Sequence, residues 1–100
     1  MAAEKQPKEA RRAHKIRNRL GLHARAAVKF VQLASRFKSE VKVEKDGQSV
    51  NGKSIMGLLT LVAAFGMEIV VVAEGIDAAE AVSALGALVD AGFDEGVDDA

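Results

Sequence analysis

The stretch "EVKVEKDGQSV", Glu40 to Val50, decides the fold because it predicts a β-hairpin. Apolar Val41 and Val43 alternate with charged residues, which is typical of a strand with one buried face. Asp46 and Gly47 follow, and an Asp-Gly pair between two such segments favours a tight turn whose central residues both have positive φ. The chain is therefore expected to contain an antiparallel sheet.

A helix is predicted on each side of this hairpin. Upstream, the apolar residues between Ala24 and Phe37 recur at helical spacing and form one stripe. Downstream, Ser54 stands directly before the apolar run Ile55–Leu61, in the position of a helix N-cap. The hairpin and its two helices thus form the centre of the predicted fold.

The flanking segments supply two more strands and a third helix. The β-branched segment "EIVVVAE", Glu68–Glu74, predicts a central strand, and a weaker first strand is expected at residues 13–17. Asp77 and Glu80 have the spacing of a capping box that opens a helix, and Gly92 ends it. The resulting order, β-α-β-β-α-β-α, predicts an α+β fold of the open-faced sandwich type, with helices on one face of the sheet.

Composition limits the class of protein. One hundred residues with 49% hydrophobic side chains suit one domain, and the absence of cysteine excludes disulfides and cysteine-based zinc sites. The net charge is zero, which gives no field favouring nucleic acid or membrane, and the apolar runs are too short to span a membrane. A soluble cytoplasmic protein is expected.

Charge is nevertheless concentrated at the two ends. Residues 1–19 hold seven Lys/Arg against two Glu, a balance of +5, whereas residues 90–100 hold five acids and no base, a balance of −5. We expect a disordered basic arm at residues 1–12, a folded domain at residues 13–93 and a solvated acidic tail at residues 94–100.

The stretch "RLGLHARAA", Arg19 to Ala27, places a histidine at the entrance of the first helix. A neutral imidazole has one nucleophilic ring nitrogen, and a phosphoryl group on His23 would meet free backbone N–H groups and the positive end of the helix dipole. Arg25 would add charge-assisted hydrogen bonds. This pattern favours a reversible phosphohistidine over a hydrolase, since no carboxylate or second histidine lies nearby in sequence to activate water. The alternative is that His23 is only a helix cap and Arg25 a solvated side chain.

Two motifs together carry a family resemblance. "GLHARAA" and "GKSIMGLLTL", with thirty-one positions from His23 to Ser54, make residues 13–93 resemble the HPr family, the histidine-containing phosphocarriers of the bacterial phosphotransferase system. The resemblance implies a four-stranded antiparallel sheet of order 1-4-2-3 with three helices on one side. It also implies that His23 accepts the phosphoryl group at Nδ1, that Arg25 assists, and that Ser54 is a regulatory phosphorylation site.

The same resemblance implies the partners. The chain would be a stoichiometric carrier rather than an enzyme, would need no cofactor or metal, and would accept its phosphoryl group from phosphoenolpyruvate-charged enzyme I. It would pass the group to the A-domain of a sugar permease or of a regulatory branch, and a serine kinase/phosphorylase would act on Ser54. A monomer that binds neither nucleic acid nor membrane is expected.

Five further residues are candidates for a partner-binding surface. Family partners dock on the first two helices, where Ile55, Met56 and Leu59 lie in the second helix and could equally belong to the core. Lys29 and Lys53 would recruit acidic partner surfaces, although lysines on exposed helix faces are common.

Three positions depart from the family pattern. Ala26 stands where proline is common, which leaves the helix start less rigid but adds one N–H donor. Val62 stands where a small residue, usually glycine, follows the "TL" pair, which puts the local loop path in doubt. His14 stands where an apolar or aromatic residue is general, and it is interpreted as structural or exposed.

Two other functions are considered. One is a mainly regulatory HPr-like protein that acts through Ser54 and protein binding. The other is a small RNA-binding domain, which needs exposed aromatic side chains on its sheet. The four Phe residues all lie outside the predicted strands and there is no Tyr or Trp, so RNA binding is disfavoured.

Overall fold

Residues 8–97, which the computed structural model describes, form four strands and three α-helices. The strands are β1 (Glu9–Lys15), β2 (Glu40–Lys45), β3 (Gln48–Asn51) and β4 (Glu68–Glu74). The helices are α1 (Ala24–Ala34), α2 (Ile55–Thr60) and α3 (Ala78–Asp90), and a 3₁₀ turn at Gly92–Asp94 follows α3. The predicted element order is confirmed.

The sheet is antiparallel throughout, with the strand order β1-β4-β2-β3. The hairpin turn forms as predicted, with φ of 50° at Asp46 and 81° at Gly47. The β-branched strand β4 is central, and its Val71 lies opposite Arg12 of β1 and Val43 of β2. The predicted fold class and sheet order are therefore confirmed.

All three helices cover one face of the sheet and bury the core against it. The largest fully buried side chains come from both layers: Phe30, Phe93, Ile16, Leu58, Ile69, Leu85, Val41, Val43, Val71 and Val89. The predicted stripe of α1 faces this core, with Ala27, Phe30 and Ala34 buried and Val31 and Phe37 packed at its margin. Burial of apolar surface therefore positions the helices, since it stabilises the fold by about 25 cal/mol per Å² of apolar area removed from water.

Two element boundaries differ from the sequence expectation. Strand β1 begins at Glu9, so residues 9–12 of the expected arm are paired with β4, and residues 1–7 lie outside the described part of the chain. The segment carries little apolar alternation because it is a largely exposed edge strand whose order comes from pairing with β4. Helix α1 ends at Ala34, three residues before Phe37.

His14 has a structural role, as one of its two interpretations predicted. It is 8% exposed, and its Nδ1 lies 2.9 Å from Asp90 Oδ1 at the end of α3. A Cβ added at Gly86 would lie 2.5 Å from His14 Nε2, so the glycine in α3 makes room for the ring. The contact ties the edge strand to the last helix.

The expected capping box of α3 is wrong. Asp77 makes no side-chain hydrogen bond to its own helix. Its carboxylate instead accepts bonds from the Lys38 N–H at 2.9 Å, the Ser39 N–H at 2.9 Å and the Ser39 hydroxyl at 2.5 Å. The hydroxyl bond from Ser39 and the backbone bond from Lys38 lower the pKa of Asp77 to about 2. Asp77 therefore ties the segment before β2 to the start of α3.

Val62 stands at a position where the resemblance implies a small residue, and its backbone conformation suits glycine better than valine. Its φ is 50°, in the left-handed region that a β-branched side chain rarely occupies, and 73% of the residue is exposed. The side chain contributes little burial, so the backbone conformation dominates its effect on stability.

We expect Val62→Gly to raise the free energy of unfolding by about 0.5–1 kcal/mol. Relief of the left-handed strain outweighs the extra chain entropy of glycine in the unfolded state. Urea denaturation would measure the change, with Val62→Ala as the matched control and a smaller gain expected. A lower unfolding free energy for the glycine variant would show that the valine side chain is stabilising.

Candidate functional site

His23 is the N-cap of α1. Its backbone is extended, with φ −81° and ψ −179°, and its carbonyl accepts the Ala27 N–H at 2.8 Å. The ring nitrogen Nδ1 accepts the Arg25 N–H at 3.3 Å, in the role that a Ser or Asp side chain usually fills. With 26% of its side chain exposed, the ring lies at the surface with Nδ1 turned toward the first turn of the helix.

The loop before α1 fixes the position of this ring. Gly21 has φ +70°, and the buried Leu22 donates its N–H to the Ala63 carbonyl at 2.9 Å. A Cβ on Gly21 would lie 2.6 Å from the same carbonyl oxygen. The close approach of the two backbones therefore requires glycine and anchors the residue before His23.

The surroundings of Nδ1 suit an anion. The first turn of α1 carries no acidic residue, and Ala26 keeps the N–H that proline would lack. Arg25 is exposed, and its guanidinium has no partner among residues 8–97. Arg25, Arg19 and Lys29 also line a shallow cleft beside the loop, together with the acidic residues Asp94 and Glu95. A phosphoryl group on Nδ1 would thus meet backbone donors and a nearby cation.

The other ring nitrogen has a partner that the sequence did not indicate. His23 Nε2 is hydrogen-bonded to Glu95 Oε2, across 72 positions of sequence. The second carboxylate oxygen, Oε1, accepts from Asn18 Nδ2 at 2.9 Å, and Asn18 is itself buried and donates to the Gly21 carbonyl. Although desolvation raises it, the pKa of Glu95 is lowered on balance by the hydrogen bonds from Asn18 and His23 and by the charges of His23 and Lys29.

A tight bend of the chain after α3 brings Glu95 to this place. Gly92, Phe93 and Asp94 have φ of 65°, 53° and 63°, so three successive residues are left-handed. The Phe93 side chain is fully buried, and its carbonyl accepts Lys29 Nζ at 2.9 Å. Glu95 therefore belongs to the folded part of the chain, beyond the boundary expected at residue 93, and residues 98–100 of the expected tail lie outside the described part.

Ser54 occupies the predicted N-cap of α2. Its Oγ accepts the Gly57 N–H at 3.0 Å, and the residue is half-buried. The same helix carries the candidate docking residues: Met56 is 77% exposed, and Ile55 and Leu59 are also exposed, whereas Leu58 faces the core. The three predicted surface residues are thus outside the core.

The two candidate lysines are held by their own chain. Lys53 Nζ donates to the Phe37 carbonyl at 2.8 Å, and Lys29 Nζ to that of Phe93. Each ammonium group has two further N–H donors.

The described residues supply no group of three or more His, Cys, Asp or Glu side chains that could hold a metal ion. Within residues 8–97 no helix is both long and apolar enough to cross a membrane. None of the four phenylalanines at 30, 37, 65 and 93 lies in a described strand, so the sheet lacks the aromatic platform of an RNA-binding domain.

Comparison with known proteins gives a consistent result. Residues 10–91 match the family model described as "PTS HPr component phosphorylation site". Phosphocarrier protein HPr of Neisseria meningitidis is 57% identical over 81 residues, which cover 81% of this chain and 91% of that protein. A crystal structure of HPr from Thermoanaerobacter tengcongensis superposes with a TM-score of 0.82 at 46% identity, covering 90% of this chain and 99% of that one.

An HPr-like protein is also similar. The Bacillus subtilis catabolite repression protein Crh, solved as a dimer with swapped domains, matches with a TM-score of 0.69 at 47% identity, covering 79% of this chain and 91% of that one.

Proposed function

Since the chain belongs to the HPr family, the phosphocarrier proteins of the phosphotransferase system, which are not enzymes, we propose that it carries a phosphoryl group on His23 Nδ1. The observation that supports this most directly is the position of His23 as the N-cap of α1, with Nδ1 facing the Arg25 N–H. The ring is at the surface, where a partner can reach it.

The proposed transfer is a displacement between nitrogen atoms. The lone pair of His23 Nδ1 attacks the phosphorus of a phosphohistidine on enzyme I, a new N–P bond forms, and the donor nitrogen leaves with the electron pair of the old one. The Arg25 N–H contact at 3.3 Å is long for a hydrogen bond, so its release costs little. The freed N–H groups and the Arg25 guanidinium then stabilise the phosphoryl oxygens. In a second displacement, a nucleophile of an A-domain attacks the phosphorus, and His23 Nδ1 leaves with the electron pair of the N–P bond.

The proposed docking surface surrounds this site. Ile55, Met56 and Leu59 offer exposed apolar contact area on α2, and Met56 suits a surface that meets more than one partner because its side chain adapts. Lys29 and Lys53 are proposed to contribute charge at its margin. A small interface suits a carrier that must leave enzyme I and the A-domain quickly, in the cytoplasm where these partners exchange phosphoryl groups.

The proposed carrier function is tested by incubation with enzyme I and phosphoenolpyruvate. A phosphate bound to histidine nitrogen is expected, which is labile in acid and stable in base. Incorporation of a phosphate that is stable in acid and labile in base, or no incorporation at all, would overturn the proposal.

We further propose that Ser54 is a regulatory phosphorylation site. A phosphate on its Oγ would lie at the N-terminus of α2, where the helix dipole tolerates negative charge, so its effect would be on partner docking at Met56 rather than on folding. The likeness to Crh favours regulation as a second function.

With the serine kinase of a related phosphotransferase system and ATP, we expect acid-stable phosphate on the wild type and none on Ser54→Ala. The alanine variant should lose about 1 kcal/mol of stability with its N-cap, so its fold is checked by circular dichroism. Ser49→Ala, on the exposed strand β3, is the matched control and should be labelled normally. Labelling of the Ser54 variant would contradict the assignment.

The closed fold, in which β1 pairs with β4 of the same chain, is proposed to be a monomer. The swapped dimer of Crh is the alternative, and light scattering of the full chain in solution distinguishes the two states.

A further inference from the structure

We propose that Glu95 is a positioning residue for the phosphoryl transfer: it holds the proton of His23 on Nε2, so that the lone pair stays on Nδ1, and it balances the positive charge that the ring gains on phosphorylation. This inference rests on the proposed function of His23. Glu95 lies outside both sequence motifs, "GLHARAA" and "GKSIMGLLTL".

The two contacts of the ring agree on one tautomer. An ionised carboxylate can only accept a hydrogen bond, so Nε2 must be the protonated nitrogen in its contact with Glu95 Oε2. On the other side, Nδ1 accepts from the Arg25 N–H and therefore carries no proton. The hydrogen bond from Nε2 to Glu95 thus leaves the lone pair of Nδ1 available as the nucleophile.

A hydrogen bond to its second oxygen, Oε1, fixes the orientation of the Glu95 carboxylate. Asn18 is 2% exposed and donates Nδ2 both to Glu95 Oε1 and to the Gly21 carbonyl, so it links the carboxylate to the loop that positions His23. The Glu95 side chain is 17% exposed, and the lowered pKa of its carboxyl favours the ionised form near neutral pH. Asn18 therefore holds both the Glu95 carboxylate and the loop that carries His23.

The left-handed backbone before Glu95 is stabilised by contacts with the rest of the fold. Phe93 and Asp94 are non-glycine residues with φ of 53° and 63°, a conformation that persists only where the surroundings determine it. Burial of the Phe93 ring and the bond from Lys29 Nζ to its carbonyl supply those surroundings. Such strain is concentrated at functional sites.

The charge balance gives Glu95 its effect on transfer. When Nδ1 forms the N–P bond, the ring becomes a phosphorylated imidazolium whose positive charge is shared with Nε2–H. The Nε2 proton stays on the ring and donates to the carboxylate, which strengthens as a charge-assisted bond. When the group is passed on, the N–P electron pair returns to Nδ1 and the neutral tautomer is restored.

The test compares the full chain with Glu95→Gln and with the control Glu80→Gln, which makes the same substitution at an exposed position near the start of α3. Nitrogen-15 NMR of the unphosphorylated proteins reports the tautomer. We expect a slowly exchanging, downfield Nε2–H resonance of His23 in the wild type and in Glu80→Gln, and its loss in Glu95→Gln. A merely structural role for Glu95 would leave this resonance unchanged.

Phosphoramidate, a small phosphoryl donor that requires no docking surface, then labels the same three proteins. We expect the labelling rate of Glu95→Gln to fall about tenfold or more, the effect of losing one charge-assisted hydrogen bond. An equal rate with an unchanged resonance would overturn the role of Glu95. Absence of acid-labile labelling in the wild type, with both phosphoramidate and enzyme I, would instead overturn the function proposed for His23.

Discussion

Replacement of His23 by alanine is expected to reduce acid-labile phosphate incorporation from enzyme I and phosphoenolpyruvate to background. Alanine removes the only nucleophile at the entrance of α1, and the neighbouring side chains, Ala24 and Arg25, offer no replacement. Measurement of phosphate per chain before and after acid treatment checks the result. The fold should survive, because the lost N-cap bond to the Arg25 N–H is long and contributes about 1 kcal/mol or less. The Glu95 carboxylate loses its contact with the ring but keeps the hydrogen bond from Asn18.

The chain contains a matched control in its second histidine. His14 is buried beneath α3 and has an exposed carboxylate, that of Asp90, as its partner. His14→Val should therefore accept phosphate at the wild-type rate and become less stable. Loss of labelling in the His14 variant with labelling retained in His23→Ala would reverse the assignment of the site.

Local pattern was sufficient to predict the hairpin of β2 and β3 and the central strand β4. The alternation of Val41 and Val43, the Asp46-Gly47 turn and the β-branched strand β4 are each decided by neighbours in sequence, and each agrees with the structure. Strand β1 begins four residues before the sequence predicts, because its order comes from pairing with β4 and not from its own side chains. A single sequence carries little signal for an edge strand of this kind.

The parts of the site that were missed depend on contacts between distant residues. The sequence predicts the position of His23 because a helix start is a local feature, but Glu95 lies 72 positions away and reaches the ring through the left-handed bend at Phe93. Asp77 has the spacing of a capping box, yet three donors from Lys38 and Ser39 compete successfully for its carboxylate. The sequence therefore shows that a carboxylate will accept hydrogen bonds, but it does not show which donors the fold brings to it.

Gly21→Ala is expected to lower the free energy of unfolding by about 3 kcal/mol or more. The left-handed φ of +70° costs an alanine about 1–2 kcal/mol, and the added Cβ would lie 2.6 Å from the Ala63 carbonyl oxygen and 3.0 Å from Ala64 Cα. Both atoms belong to backbone, so relief of the clash requires the two segments to separate. That movement would stretch the bond from Leu22 N–H to the Ala63 carbonyl, now 2.9 Å, and displace His23.

Gly47→Ala separates the two causes of this destabilisation. Gly47 has a similar φ, +81°, but a Cβ there would meet no atom within 4 Å, so only the conformational cost of about 1–2 kcal/mol should be measured. The difference between the two variants in urea denaturation is then the cost of the backbone clash. Of these two variants, we expect phosphorylation of His23 to be slowed in Gly21→Ala alone, because Gly21 lies in the loop that orients the ring and Gly47 lies in the hairpin turn. Equal destabilisation of the two variants would mean that the loop before α1 relaxes freely, and that the contact between Leu22 and Ala63 does not hold the histidine in place.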